Sequence, residues 1–230
     1  MSRIDIIQNI INKKKAAKYL EIGVGRGYCF LKIRAKRKYA VDPVFRISWK
    51  EKLKWMRKNP CNIFAKYYEV RSDDYFARKK HMVGYDVVFV DGLHTYKQAL
   101  MDVDNSLLYL NKNGVIVLHD CSPPHEAAAY PADSYIQAVS NNLLSWTGEW
   151  CGDVWKAIVY SRSLSKDLNI FVLDDDYGLG IITRGEPDNM LPFSVEELNQ
   201  LTYRDLEKNR KELLNLKQAD FFREFLKGIH

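Results

Sequence analysis

Five short apolar runs, each followed by a polar cluster and then by a helical stretch, constrain this chain more than any other feature. They are Lys18 to Ile22, Tyr39 to Val41, Lys66 to Val70, Tyr85 to Val90 and Gly114 to Leu118. Strands that alternate with helices predict a parallel, doubly wound α/β sheet. The runs end at Glu21 with its glycines, Asp42, Ser72-Asp73, Asp91-Gly92 and His119-Asp120. In open α/β sheets the ligand sits at the carboxyl ends of the strands, so one crevice is expected to collect these groups.

The intervening segments read as helices over residues 2 to 15, Tyr28 to Ala35, Ser48 to Lys58, Tyr75 to Lys80, Tyr96 to Leu110 and Ser134 to Trp146. Ile4, Ile6, Ile7, Ile10 and Ile11 give the first its apolar stripe. Asn113-Gly114 is expected to close the fifth. Further strands are expected over Val154 to Tyr160, Leu168 to Leu173 and Leu179 to Thr183, the last two forming a hairpin around Asp174 to Gly178. The expectation is a Rossmann-like, seven-stranded, mostly parallel sheet with a terminal antiparallel hairpin. Residues 1–190 would form that domain, with an N-terminal helix over 1–16. Residues 191–230 would form a helical extension, started by Ser194 as an N-cap.

With 230 residues, 47% of them hydrophobic, the chain can bury a sizeable core. No apolar run reaches the roughly 18 residues of a membrane span. The N-terminus lacks a signal-peptide core, so a cytoplasmic protein is expected. Cys29, Cys61, Cys121 and Cys151 show no C-x-x-C spacing and read as free thiols. The net charge of +6 gathers at Lys13 to Lys15, Arg34 to Lys38, Lys50 to Lys58 and Arg78 to Lys80. Solvated helix faces explain such runs; the alternative is an anionic partner such as a nucleic acid or a phosphorylated sugar, which no aromatic-interleaved RNA-binding motif supports.

The segment after the first strand is Glu21-Ile22-Gly23-Val24-Gly25-Arg26-Gly27. Glycines let the backbone turn sharply and let a ligand approach. The spacing G-x-G-x-G is not the G-x-G-x-x-G of dinucleotide enzymes. A carboxylate at Glu21 suits a cationic ligand better than a pyrophosphate. Asp42 follows the first glycine by about 20 residues, at the end of the next strand, where an acidic residue accepts hydrogen bonds from ribose hydroxyls.

These residues resemble the class I S-adenosylmethionine-dependent methyltransferases, over roughly residues 17 to 185. The resemblance implies that Glu21, Gly23, Gly25 and Gly27 wrap the methionine part of the cofactor and that Asp42 binds its ribose. Ser72 and Asp73 match, more loosely, the region that contacts adenine, and Asp91 borders the same site.

A third motif runs Asp91-Gly92-Leu93-His94-Thr95-Tyr96, and a fourth Val117-Leu118-His119-Asp120. Together they look like a branch holding small-molecule and sugar O-methyltransferases, and are similar to catechol-type enzymes that use a divalent metal. That resemblance implies metal ligands at Asp91 and Asp120, with Mg2+ or another divalent cation; Cys121 stands where those enzymes carry Asn. It puts His94 at the position of their catalytic lysine, and a histidine suits a general base. His119 is a second candidate for a direct role. The implied reaction is methyl transfer to an oxygen of a small molecule or glycan.

Trp150 to Lys156 could line an acceptor pocket or simply pack the core. His125 could belong to a lid. Leu201 to His230 could pack on the sheet, dock a partner or form a homo-oligomer contact. Two other functions compete: a nicotinamide-dependent oxidoreductase, and a nucleic-acid-binding or nucleic-acid-methylating protein. The latter lacks an Asn/Asp-Pro-Pro-Tyr/Phe-type loop after the fourth strand.

Overall fold

The computed structural model describes residues 1–15, 18–78, 84–141, 143 and 146–229. The sequence's alternation appears as the elements α1 (Arg3–Lys14), β1 (Lys18–Ile22), β2 (Arg37–Asp42), α2 (Trp49–Lys58), β3 (Lys66–Glu69), α3 (Ser72–Ala77), β4 (Tyr85–Val90), α4 (Tyr96–Leu108) and β5 (Leu110–Leu118). There follow α5 (Tyr135–Ser140), α6 (Trp155–Leu164), β6 (Leu168–Leu173), β7 (Leu179–Arg184), α7 (Val195–Gln200), α8 (Tyr203–Leu213), β8 (Leu216–Lys217) and α9 (Ala219–Gly228). The expected α/β class with a mostly parallel sheet and a late antiparallel hairpin is borne out. Packing divides the chain into two units. The first holds residues 1–92, 102–117 and 225–230; the second holds 93–101 and 118–224.

In the first unit the strand order is β3-β2-β1-β4-β5. β1 pairs in parallel with both β2 and β4, and β2 with β3. The chain therefore winds outward from β1 to β3 and then returns to β4, which makes the β1/β4 boundary a topological switch point. β1, β2 and β4 are almost wholly buried, as strands of a parallel sheet are. α1 starts at a capping box in which the Ser2 hydroxyl accepts from Asp5 N and the Asp5 carboxylate accepts from Ser2 N. Its buried face is Ile6, Ile7, Ile10 and Ile11. Ser48 and Glu51 start α2 the same way.

In the second unit β7 pairs antiparallel with β6, and β8 lies parallel to β6 on its other side. The hairpin turn holds three consecutive left-handed residues, Asp176, Tyr177 and Gly178. Ser194 caps α7 through a capping box with Glu197, as the sequence suggests.

Several elements differ from the sequence expectation. Tyr28 to Ala35 forms turns, not a helix. Side chains from elsewhere take the backbone groups a helix would pair. The Phe30 N–H donates to Glu21, Lys38 donates to Phe30 O, and Asn59 and Asn62 take Leu31 O and Ile33 O. Val154 to Tyr160 is not a strand but the start of α6, a helix buried nearly all round, whose short apolar run has no period to separate the two readings. The helix after Tyr96 stops at Leu108, so Asn113-Gly114 lies inside β5 instead of closing a helix. The helix after Ser134 is assigned only to Ser140. Eight strands, not seven, occur among the described residues, because β8 interrupts the C-terminal helices. Residue 16, residues 79 and 80 of the expected Tyr75 to Lys80 helix, and residues 142, 144 and 145 of the Ser134 to Trp146 stretch lie outside the described residues. The four cysteines are free thiols, three of them buried. Among the described residues no helix is long and apolar enough to cross a membrane.

Candidate functional site

The first unit gathers its polar groups at the carboxyl ends of β1, β2 and β4. The Gly23 N–H continues the β1–β2 ladder to Val41 O, and the Asp91 N–H reaches Ile22 O, both at 2.9 Å. Gly23 has φ +82°, and a Cβ there would lie 1.9 Å from Asp91 O. Only glycine permits this approach of the two strand ends. Gly25 is different. Its φ is +50°, yet a Cβ built on it meets nothing within 4 Å. The loop thus presents bare backbone to open space there, as a cradle for a ligand requires.

Asp42 fixes this loop. One carboxylate oxygen accepts from Gly25 N at 2.7 Å and the other from Val44 N at 2.8 Å. Each oxygen keeps a further lone pair for a ligand hydroxyl. Glu21 is buried: its Oε2 accepts from Tyr19 OH at 2.5 Å and its Oε1 from Phe30 N at 3.1 Å. Burial pushes its carboxyl up to about 7, against the pull of the Tyr19 hydrogen bond and the Lys38 ammonium. Lys38, itself fully buried, is brought down to about 8 by burial, against the opposing pull of Glu21. Ser72 and Asp73 open α3. Ser72 is buried and Asp73 meets Arg71 at 3.5 Å. Asp91 forms a 2.9 Å ion pair with Arg3, 88 residues away in the chain.

The second unit assembles a histidine–carboxylate cluster. Asp120, buried at 4% exposure, sits just past β5 in the left-handed conformation with φ +61°. Such backbone is uncommon outside glycine and costs free energy, although aspartate tolerates it better than most residues. Two backbone bonds hold it: Cys121 N to Gly178 O at 3.0 Å, and Ser122 N to Tyr177 O at 2.7 Å. The hairpin turn between β6 and β7 therefore fixes the direction of the Asp120 side chain.

Asp120 Oδ2 lies 3.2 Å from His94 Nε2 and 2.9 Å from His119 Nδ1. The His94 ring stacks on Trp150, centroids 5.1 Å apart, and its Nδ1 is 2.7 Å from Trp150 O. A carbonyl oxygen can only accept, so Nδ1 carries the proton and Nε2 faces Asp120 with its lone pair or as N–H+. Gly152 makes this possible, because a Cβ at its φ of +59° would lie 1.8 Å from His94 O. His119, also buried, has Nε2 3.6 Å from Asp176 Oδ1, so two carboxylates flank it. Burial, and then the charge of Asp120, hold the Cys151 thiol well above its ordinary range.

Cys121 does not join this cluster. Its Sγ turns back to Leu118 O at 3.3 Å and to His119 O, and burial raises its thiol. Of the Trp150 to Lys156 segment, Trp150 belongs to the site, whereas Trp155 is core at 1% exposure. His125 folds its own loop, accepting from Ala128 N at Nδ1 and meeting Thr147 Oγ1 with Nε2. Arg3, the Trp150 carbonyl that orients His94, and Asp176 are not marked by the sequence motifs. Each comes from a segment distant in sequence from the residue it meets.

A carboxylate flanked by imidazoles, with the orienting His94 N–H donated to a backbone carbonyl, is a donor set that suits a divalent cation.

Residues 20–121 match a family model described as a methyltransferase domain. No curated protein sequence matches the chain significantly. Among solved structures, an O-methyltransferase from Bacillus cereus in complex with SAH is similar at 13% identity, TM-score 0.53, covering 80% of this chain and 82% of that one. An SAH-bound methyltransferase of Podospora anserina, PaMTH1, shares 16% identity at TM-score 0.54 over 81% and 80% of the two chains. TomG of Streptomyces achromogenes, an O-methyltransferase involved in tomaymycin synthesis and solved with SAM, shares 14% identity at TM-score 0.52 over 80% and 81%. These likenesses bear out the fold, and the matched domain covers both the glycine loop and Asp120.

Proposed function

We propose that this chain is a class I S-adenosylmethionine-dependent methyltransferase that methylates an oxygen of a small-molecule or sugar acceptor; the methyltransferase-domain match over residues 20–121 and the fold support that reading. The observation that carries the oxygen assignment is the contact of His94 Nε2 with Asp120 Oδ2, with Nδ1 committed to Trp150. O-methyltransferases among the similar structures support the same reading.

In the first unit the glycine loop takes the methionine part of the cofactor, with Gly25 as the point of closest approach. Asp42 takes the ribose hydroxyls, and Ser72 and Asp73 border the adenine. Glu21, from its buried position, holds Phe30 and supplies negative charge for the sulfonium. The acceptor oxygen attacks the sulfonium methyl in line. An O–CH3 bond forms, the S–CH3 bond breaks, and the electron pair leaves on sulfur. The acceptor's proton passes to His94 Nε2, and Asp120 stabilises the imidazolium that results. His119 Nδ1 lies beside the same Asp120 oxygen and would share its charge. Asp120 and, on the resemblance, Asp91 would hold a divalent cation. When bound, that ion would lower the pKa of the acceptor hydroxyl and orient it.

The test is transfer of isotopic label from methyl-labelled S-adenosylmethionine to pools of hydroxylated acceptors, sugars and phenols among them. The reading expects label in alkali-stable methyl ethers. Label only in alkali-labile esters, or on nitrogen, would remove the oxygen assignment.

A further inference from the structure

α2 is a helix that buries nothing completely. One half of its circumference carries Trp49, Lys50, Leu53, Lys54, Arg57 and Lys58, which line a shallow groove of about 410 Å3. Trp49 is 70% exposed and Leu53 43%. All four charges on this half are positive. The other half holds the helix to the unit: Lys52 lies over the Tyr67 ring at 4.1 Å, and Trp55 O accepts from Asn62. The turn after the helix adds two further exposed apolar side chains, Ile63 and Phe64, the latter 77% exposed. None of these residues belongs to the cofactor or histidine clusters.

A solvated helix face explains lysines but not an exposed tryptophan and leucine among them. A nucleic-acid face explains cations and an aromatic ring, but gains nothing from Leu53. Tryptophan with aliphatic side chains, bordered by lysines whose stems lie along the apolar surface, is the composition of a helix that rests in a bilayer interface. The charge complement of four cations without an acid is an anionic headgroup surface.

We propose that the α2 face docks the enzyme peripherally on anionic lipid, with Trp49 and Leu53 entering the headgroup layer and Lys50, Lys54, Arg57 and Lys58 contacting the headgroups. Each such cation near an anionic surface strengthens binding by a factor of about five.

The test is co-sedimentation of the full chain with phosphatidylcholine vesicles, with and without about a third of phosphatidylglycerol. Binding is expected only with the anionic lipid, and is expected to weaken as salt rises. Lys54→Glu/Arg57→Glu and Trp49→Ala/Leu53→Ala should each lower it at least about tenfold. These positions are exposed, and SAH binding by the variants checks that the fold is kept. Wild-type protein that stays in the supernatant, equal binding to neutral vesicles, or unchanged binding by both double variants would overturn the proposal. So would tighter binding to a short RNA or DNA duplex that the same variants abolish.

Discussion

His94 presents Nε2 to Asp120 Oδ2 at 3.2 Å while its Nδ1 is held by the Trp150 carbonyl, so the chemistry of the imidazole is fixed by two groups far from it in sequence. His94→Gln removes the base and keeps much of the volume. It should lower kcat about 10²–10⁴-fold while SAH affinity, measured by calorimetry, stays within about twofold. Loss of SAH binding in step with kcat would make His94 part of the cofactor site instead.

Asp120 is the shared point of the two histidines. Asp120→Asn should weaken Mn2+ binding about 10–100-fold, read by calorimetry or by the metal-dependent rise in Tm. Arg3 already pairs with Asp91, so Arg3→Ala should tighten the same ion if Asp91 is a ligand. Unchanged Mn2+ affinity in both variants would take the metal out of the mechanism.

The two glycines differ by what a methyl group meets. At Gly25 it meets nothing, so Gly25→Ala should cost only about 1–2 kcal/mol of backbone strain. It should nevertheless weaken SAH binding at least about tenfold, because the methyl occupies the cradle. At Gly23 the methyl meets Asp91 O, so Gly23→Ala should lower Tm far more. Equal loss of Tm in both variants, with SAH affinity intact in Gly25→Ala, would show that the open space does not hold the cofactor.

Burial raises the Glu21 carboxyl from an ordinary 4.5 to about 7. The folded state therefore binds a proton that the unfolded state has lost between those values, and stability from this group falls as pH rises from about 4.5 to 7. Glu21→Gln should flatten that fall, a change of at most about 3 kcal/mol across the window. The ionised form suits a sulfonium, so affinity for S-adenosylmethionine should rise through about pH 7 in the wild type and not in the variant. A parallel pH dependence in both proteins would detach Glu21 from the effect.

The sequence made β1, β2, β4 and β5 legible because buried parallel strands are continuous apolar runs, and each ends at a residue whose chemistry is conspicuous. Glu21, Asp42, Asp91, His94 and Asp120 stand out for that reason. The Tyr28 to Ala35 turns could not be read locally, since Asn59, Asn62 and Lys38 replace the helix bonds from a distance. α6 was hidden because a fully buried helix and a buried strand share one composition over seven residues. The groups that orient the site, Trp150 O, Asp176 and Arg3, reach it through tertiary structure, and no spacing announces them.

The loop from Glu21 to Gly27, with Asp42, is the proposed seat of S-adenosylmethionine. Calorimetric titration of the wild-type chain and of Asp42→Ala with SAH tests it most directly. The structure predicts saturable one-to-one binding at micromolar concentration, at least about tenfold weaker in the variant. No heat of binding to the wild type at about 1 mM SAH, or equal affinity in the two proteins, would contradict it.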